Sequence, residues 1–158
     1  MSIRSRLRSR FSALIVAAAA ALPGCALGPP SVALSSSPEF EALSLPFSEA
    51  AIAGDTIYLS GQLGTRPGTV ELVEGGVRAE ARQALDNIRA VLERNGSALD
   101  RVVKCTVFLA DMDEWAEFNA VYMEYFPALR PARSAVGVDA LALGARLELE
   151  CIALVGAT

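Results

Sequence analysis

Arg133 is a candidate anion-binding residue, because it stands at the start of a strand-like stretch in "RPARSAVGV", residues 130 to 138. A guanidinium keeps its proton at every relevant pH, so Arg133 is not a base, but it can hold a carboxylate or phosphate through two parallel hydrogen bonds. The chain has no histidine and no CxxC motif, and a metal site is therefore not expected. Arg130 is interpreted as a solvated residue at the rim of any such site.

Alternation along three predicted strands places Ser60, Arg133 and Glu148 on one face of a sheet. The strands are "DTIYLSGQL" (55 to 63), "ARSAVGV" (132 to 138) and "RLELECIAL" (146 to 154). Because Val136 is expected to face the core, Arg133 is expected to face the other way. An arginine and a carboxylate on one face could form a carboxylate-binding, water-activating site. A plain ion pair between Arg133 and Glu148 fits the same spacing, and the spacing alone leaves both interpretations open.

Two amphipathic helices are predicted to cover the opposite face of this sheet. The segment "GVRAEARQALDNIRAVLERNG" (76 to 96) has apolar residues every three or four positions and Gly96 placed to end the helix. The segment "DEWAEFNAVYMEYFP" (113 to 127) has Asp113 as the expected N-cap and Pro127 beyond its end. Its aromatic stripe consists of Trp115, Phe118, Tyr122 and Tyr125. With a further strand, "RVVKCTVFLAD" (101 to 111), these elements predict an α+β domain.

Residues 1 to 24 are predicted to be a signal peptide of the lipoprotein type. The first ten residues carry four arginines and no acid, and the apolar run that follows, "FSALIVAAAAAL", is too short to span a bilayer. The run ends in "LPGC", which resembles the lipobox of bacterial lipoproteins, so Cys25 is the expected lipidation site. An ordinary cleaved signal with an incidental cysteine is the alternative. The expected location is the cell envelope, and Ala26 after the cysteine favours the outer membrane.

Residues 25 to 44 are interpreted as the lipidated cysteine and a flexible tether, because the segment is rich in Pro, Ser and Ala and has no sustained period. The domain is then expected to occupy residues 45 to 158. Removal of residues 1 to 24, with their four arginines, would leave 10 basic and 18 acidic residues, a net charge of −8. So acidic a surface repels phosphate backbones, and a nucleic-acid partner is not expected.

The two remaining cysteines lie in apolar, strand-like contexts, Cys105 in "VVKCTVFL" and Cys151 in "ELECIAL". Such contexts are typical of buried and inert thiols. An exported protein could also form a disulfide here, but nothing in the sequence shows whether the two residues are close in space.

The order and spacing of five motifs resemble the reactive intermediate deaminase family (Rid, formerly YjgF). The motifs are "PFSEA", "AGDTIYLSGQL", "ARQALDNIRAVLERNGSALDRVVKCTVFLADMDEWAEFNAVYMEYF", "RPARSAV" and "LELECIAL". The resemblance implies a chorismate-mutase-like fold, a mixed sheet with two helices packed on one face. It also implies a homotrimer, in which the bare sheet faces form a central barrel and the active sites lie in the clefts between subunits.

The same resemblance implies hydrolytic deamination of 2-imino or 2-enamino acids to 2-oxo acids and ammonia, with no cofactor and no metal. By this resemblance, Arg133 binds the substrate carboxylate and Glu148 positions the attacking water. Ser60 and Asn119 line the cleft. An iminium carbon is already electrophilic, so orienting one water and neutralising the carboxylate can suffice for catalysis.

Three departures from the family pattern concern the cleft. Phe47 stands where a tyrosine is common, which keeps the ring but loses a hydroxyl. Ala135 stands where a cysteine is frequent, and its backbone is expected to carry the contact. Residues 138 to 142 read "VDALA" where the family commonly has "VARLP", which bears on substrate range more than on the reaction. A binding module that keeps the carboxylate clamp is the alternative function, and ribonuclease activity is disfavoured by the acidic charge.

Overall fold

The computed structural model describes residues 31–156, which form a six-stranded sheet in the order β1-β2-β3-β6-β4-β5. Neighbouring strands are antiparallel, except that β4 and β5 are parallel and are joined through α3. The elements are β1 (Val32–Ser35), α1 (Pro38–Ala42), β2 (Ala50–Ala53), β3 (Thr56–Leu59), α2 (Gly76–Arg94), β4 (Val102–Leu109), α3 (Trp115–Tyr125), β5 (Ala132–Gly137) and β6 (Leu147–Leu154). The α+β class predicted from the sequence is confirmed.

The core lies between one face of the sheet and the helices α2 and α3. The apolar positions of α2 predicted from the period, Val77, Ala81, Leu85, Ile88 and Leu92, are all buried. They pack with the alternate residues of β4 and β6 that point to the same side, including Val107, Leu109, Leu147 and Leu149. Within residues 31–156, no long helix packs on the opposite face of the sheet, which is called the open face below.

The predicted end of α2 is confirmed, and the predicted N-cap of α3 is not. Helix α2 ends as expected, because Gly96 adopts the left-handed conformation (φ +69°) directly after the C-cap Asn95. The predicted capping role of Asp113 is wrong. The carboxylate of Asp111 accepts a hydrogen bond from the Asp113 backbone N–H instead, and a 3-10 turn over Met112–Glu114 leads into α3. Asp111 can cap because its backbone is extended, as an N-cap requires.

The tether predicted for residues 25 to 44 is wrong for its second half. Val32–Ser35 forms an edge strand paired with β2, and Ser37 accepts a hydrogen bond from the Phe40 N–H at the start of α1. The strand has four residues and α1 has five, with none of them buried, so neither element shows an apolar period in the sequence. Residues 25 to 30 and the predicted signal peptide lie outside the described part of the chain.

Cys105 and Cys151 form a disulfide bond between β4 and β6. The two residues are direct partners in the strand register, and both are buried. The sequence leaves open whether these two cysteines pair, and the strand register decides it, because antiparallel pairing brings the side chains of opposed residues together on one face. No helix within residues 31–156 has the length and apolar character needed to cross a bilayer.

We expect this disulfide to contribute about 4 kcal/mol to the free energy of unfolding, because it closes a loop between residues 46 positions apart. The double variant Cys105→Ala/Cys151→Ala should therefore melt on the order of 10 °C below the wild type. Thermal unfolding of both proteins with and without a reductant is the measurement. Reductant should lower the melting temperature of the wild type alone, and equal melting temperatures for the two oxidised proteins would contradict the prediction.

Candidate active site

Arg133 lies on the edge strand β5 and points to the helix-covered side of the sheet. In the register of β4 and β5, Arg133 is opposite Cys105 and Ala135 is opposite Val107, and both partners are buried in the core. Val136, by contrast, is 43% exposed on the open face. The predicted orientation of this strand is therefore inverted. The reason is that an arginine can cover apolar side chains with its long stem while its charged head reaches the boundary of the core.

The guanidinium of Arg133 is held by three side chains of α3. Its Nη2 donates a hydrogen bond to Oδ1 of Asn119 at 2.7 Å, and it lies over the rings of Tyr122 and Phe118, with centroids at 4.6 and 5.5 Å. Stacking of this kind orients the guanidinium without neutralising it. Among the salt bridges of residues 31–156, none involves Arg133. Arg133 is therefore a pre-oriented cation with neutral neighbours.

The Tyr122 side chain that packs against Arg133 is an uncharged phenol. Burial raises the pKa of Tyr122 to about 12, and the nearby charge of Arg133 opposes this shift. The hydroxyl is buried and has no hydrogen-bond partner among the described residues. A phenol with so high a pKa cannot act as a base near neutral pH, so Tyr122 and Phe118 are positioning residues for the guanidinium. In the sequence both rings belong to the aromatic stripe of α3, and the three-residue spacing between Asn119 and Tyr122 makes those two side chains neighbours on the helix surface.

Glu148 projects from the open face of the sheet, as predicted. It is opposite Phe108 of β4, which is in turn opposite Val136 of β5, so these side chains form one row across the open face. Burial raises the pKa of Glu148, and the negative charge of Glu150 on the same face raises it further. Glu148 and Arg133 thus lie on opposite faces of the sheet. Within one chain they cannot form the ion pair that the sequence left open as an alternative.

The segment after β3 that contains Ser60 and Gly61 has one residue more than the facing part of β6, which is a bulge. Tyr58 is opposite Ile152 and Gln62 is opposite Leu149, so four steps along one strand match three along the other and one residue is extra. Such bulges redirect side chains and often lie next to active sites. The residues at this bulge are the Ser-Gly of the predicted site motif.

The backbone of Gly61 lies in close contact with the carboxylate of Glu148. A β-carbon added at Gly61 would lie 1.7 Å from Oε1 of Glu148 and 2.6 Å from its carboxyl carbon. The Glu148 carboxylate therefore rests on the α-carbon of Gly61, a place that no other residue type leaves open. Sequence alternation points to Ser60 and not to Gly61, and the one available signal for Gly61 is that a glycine within a strand pattern indicates a bulge or a close approach.

The hydroxyl of Ser60 already serves the fold. It donates a hydrogen bond to the Ser48 carbonyl oxygen at 2.7 Å, and the Ser60 N–H donates to the Glu49 carbonyl oxygen at 2.9 Å. Ser60 thereby anchors the segment that carries Phe47 beside the bulge. Towards a ligand, its oxygen can act as an acceptor. Within residues 31–156, no cluster of side chains suitable for a metal ion is found.

Comparison with known proteins identifies the family to which this chain belongs. The sequence profile of the family described as "Endoribonuclease L-PSP" matches residues 39–155. The chain belongs to this family, that of the Rid (YjgF) proteins.

Curated and solved members of the Rid family are similar over most of the domain. The 2-iminobutanoate/2-iminopropanoate deaminase of Bos taurus is 48% identical over 111 residues, which is 70% of this chain and 81% of the bovine protein. The crystal structure of the yeast protein YEO7 has a TM-score of 0.71 at 39% identity and covers 80% of this chain and 100% of its own. That of the YjgF gene product of E. coli has a TM-score of 0.65 at 38% identity, covering 69% and 87%.

Phe47 and Ala135, the two other site residues assigned through the Rid resemblance, lie in different surroundings. Phe47 is 51% exposed and packs edge-on against Phe40 of α1, with ring centroids 5.6 Å apart. Helix α1, which the sequence did not predict, thus supports a site residue. Ala135 is partly buried against the core, next but one to Arg133 on the same edge strand, so its backbone lies where a neighbouring molecule can approach.

Proposed function

We propose that this protein hydrolyses 2-imino acids, or their 2-enamino tautomers, to 2-oxo acids and ammonia. The observation that carries the proposal is Arg133, a partly buried cation that Asn119 and two aromatic rings orient and that no carboxylate of the described residues neutralises. A guanidinium held in this way suits a carboxylate ligand. The name of the bovine relative, which shares 48% of its residues with this chain over the matched region, supports the same reaction.

The reaction requires one activated water at the imine carbon. With the substrate carboxylate on Arg133 and the imine nitrogen protonated, Glu148 takes a proton from the water as its oxygen forms a bond to the carbon, and the C=N π electrons move to nitrogen and neutralise its charge. The resulting carbinolamine then collapses. Glu148 first returns its proton to the nitrogen, and its carboxylate then accepts the hydroxyl proton as the C=O bond forms and the C–N bond breaks. Ammonia leaves, and the proton left on Glu148 passes to solvent. Positioning and electrostatics supply the rate enhancement.

A complete site of this kind needs a second copy of the chain, since Arg133 and Glu148 lie on opposite faces of one sheet. The open face also presents apolar side chains to solvent in a single chain, with Tyr58 48% and Val136 43% exposed. Large apolar groups exposed on one face of a sheet are typical of interfaces. We therefore propose the trimer implied by the family, in which Arg133 of one copy faces Glu148 of the next.

We expect Val136→Asp to convert the trimer to monomers, because each copy would bury an unpaired charge in the proposed interface. Light scattering of the wild type should give three times the chain mass, and the variant should give the chain mass with unchanged circular dichroism. Met123→Asp is the matched control, since Met123 is 51% exposed on α3 and should leave the trimer intact. A monomeric wild type at micromolar concentration would contradict the proposal.

The pH dependence of turnover should report on Glu148. Because its carboxylate takes the proton, activity should fall as the pH is lowered through a pKa that burial and Glu150 have raised above the ordinary glutamate value. Glu150→Gln removes one of these two causes, so the acidic limb of the kcat profile should move to lower pH. Glu41→Gln, a change at an exposed position of α1, should not move it. An acidic limb that is the same in wild type and Glu150→Gln would contradict this role of Glu148.

The reaction itself is tested by generating 2-iminopropanoate in situ with an amino-acid oxidase and following its disappearance with and without the full chain. Accelerated loss with equal formation of 2-oxo acid and ammonia is expected. No acceleration with any of several imino acids would remove the proposal. Ribonuclease activity, which the name of the family profile suggests, is less favoured because Glu148 and Glu150 and the predicted net charge of −8 oppose a phosphate backbone.

We also propose that the protein is exported and lipidated at Cys25. The buried disulfide between Cys105 and Cys151 supports export, because such bonds persist in oxidising compartments. Amino-acid oxidases or dehydrogenases near the envelope release imino acids and would supply the substrate there. Labelled fatty acid should appear on the wild type and not on Cys25→Ala. Its absence from the wild type, with labelling of a control lipoprotein, would contradict lipidation.

A further inference from the structure

The disulfide between Cys105 and Cys151 lies in the same row of side chains as Arg133. Arg133 of β5 is opposite Cys105 of β4, and Cys105 is opposite Cys151 of β6. Opposed residues of neighbouring strands project to the same face of a sheet, and here it is the helix-covered face, since both cysteines are buried in the core. The bond therefore lies directly beside the arginine that is proposed to hold the substrate.

Helix α3 covers Arg133 from the other side. The guanidinium lies over the rings of Phe118 and Tyr122, with centroids at 5.5 and 4.6 Å, and it donates a hydrogen bond to Asn119 at 2.7 Å. Both rings are buried. The Arg133 side chain thus occupies a space that α3 bounds on one side and Cys105 on the other.

The disulfide determines how much of this space Cys105 takes. Because its sulfur is bonded to that of Cys151, the sulfur is directed towards β6 and away from β5. A free thiol can rotate to other staggered positions, and two thiols need more room than a disulfide, since non-bonded atoms cannot approach as closely as bonded ones. Protein interiors are packed too densely to take extra volume without a shift of the neighbours.

The neighbour that can shift is β5. Strand β6 lies between β3 and β4 and is paired on both sides, whereas β5 is paired with β4 alone within residues 31–156. Two free thiols in the row would therefore displace β5 before they displace β6. Arg133 would move with β5 relative to Asn119 and the two rings, and the orientation of its guanidinium would be lost.

We infer, on the basis of the proposed function, that Cys105 and Cys151 are positioning residues for Arg133, and that the protein binds its substrate well only as the disulfide. The regulation of the site is therefore oxidative, and it operates when the protein folds. Both sulfurs are buried in the finished fold, so the bond must form earlier, and small reductants do not reach it afterwards.

The bond forms by exchange with an oxidant that itself contains a disulfide. The thiolate of one cysteine attacks a sulfur of the oxidant and displaces the other sulfur. The thiolate of the second cysteine then attacks the bonded protein sulfur and displaces the rest of the oxidant. The oxidant leaves as two thiols, which carry the two electrons and the two protons that the cysteines have lost. Such oxidants are available to exported proteins.

The test compares the full chain folded with oxidised glutathione and the full chain folded with dithiothreitol, which is removed before the assay. All proteins carry Cys25→Ala, which leaves Cys105 and Cys151 as the only cysteines, and thiol titration after denaturation checks their state. With 2-iminopropanoate generated in situ, we expect KM to be about tenfold higher for the reduced protein, with a smaller change in kcat, because Arg133 holds the substrate carboxylate. Equal KM values would overturn the inference.

The double variant Cys105→Ala/Cys151→Ala distinguishes positioning from stability. It lacks the bond and also both sulfurs, so it should melt at a lower temperature but keep a KM close to that of the oxidised protein. Leu92→Ala, at a buried position of α2, is the control and should likewise lose stability without a change in KM. If KM rises in either of these proteins as much as in the reduced protein, lost stability is the cause and the positioning role is wrong.

A measurement without turnover separates this positioning role from the proposed function. The Nε–H of Arg133, assigned by the loss of its NMR signal in Arg133→Lys, lies near two aromatic rings that shift its resonance. The resonance should differ between the oxidised and reduced proteins, and the alanine pair should resemble the oxidised one. If this is found but no imine is hydrolysed, the proposed function is wrong and the positioning of Arg133 stands. The same resonance in the oxidised and reduced proteins would overturn the inference.

Discussion

Arg133→Lys should lower kcat/KM for imine hydrolysis by about 100-fold, although it keeps the positive charge. A lysine presents a point charge on a flexible stem, whereas the guanidinium offers paired donors in a plane. In this structure that plane is set by the hydrogen bond to Asn119 and by the ring of Tyr122, 4.6 Å from the guanidinium carbon. An ammonium cannot reproduce that orientation, so the imine carbon would no longer be held in line with the water.

Arg130→Lys is the matched control, because Arg130 is an exposed arginine three positions earlier on the same segment and should tolerate the change. Melting temperature and steady-state kinetics on both variants distinguish a clamp from a packing role. If Arg133 merely covers the rings of α3, its replacement should lower the melting temperature and leave the turnover of the folded protein normal. Normal turnover in a well-folded Arg133→Lys trimer would rule out the carboxylate clamp.

The parts of the fold with a strong apolar period could be predicted from the sequence. Helix α2 is predicted within two residues at its C-terminal end, because its buried positions recur every three or four residues and Gly96 supplies the left-handed turn. Strands β4 and β6 are likewise found where alternation is clear. In such segments the local apolar pattern agrees with the burial in the fold, so the sequence alone is sufficient to predict the helix or strand.

The orientation of β5 could not be predicted, because it depends on neighbours that are distant in the sequence. An edge strand has a partner on one side alone, and its apolar Val136 can face outwards if another chain covers it. Arg133 faces inwards because α3 offers it aromatic rings and an amide oxygen. The register that places Cys105 beside Cys151 is equally a product of tertiary pairing, and spacing along the chain does not encode it.

Gly61→Ala should lower kcat by about 100-fold, because a displacement of the catalytic carboxylate by about an ångström is enough for such a loss. The new β-carbon would lie 1.7 Å from Oε1 of Glu148, so the carboxylate must move away from the water it activates. The backbone of Gly61 does not lie in the left-handed region, so an alanine can adopt it. The variant should therefore fold, and its melting temperature should show whether it has.

Gly137→Ala is the matched control for this glycine. Its backbone is also outside the left-handed region, and its added β-carbon would meet the flexible side chain of Met112 at 2.9 Å, which can move aside. Turnover in this variant should stay close to that of the wild type. Loss of turnover in Gly137→Ala as large as that in Gly61→Ala would indicate a general effect of packing on the sheet.

A double-mutant cycle then shows whether Gly61 acts through Glu148. Glu148→Gln alone should reduce kcat with a smaller effect on KM, since it removes the charge that accepts the proton while the substrate is held elsewhere. If the alanine at residue 61 harms catalysis by displacing the carboxylate, it can do little further damage once that carboxylate is an amide. The double variant Gly61→Ala/Glu148→Gln should therefore match Glu148→Gln in kcat. Independent, multiplicative losses would show that Gly61 serves the reaction in some other way and that its contact with Glu148 does not position the base.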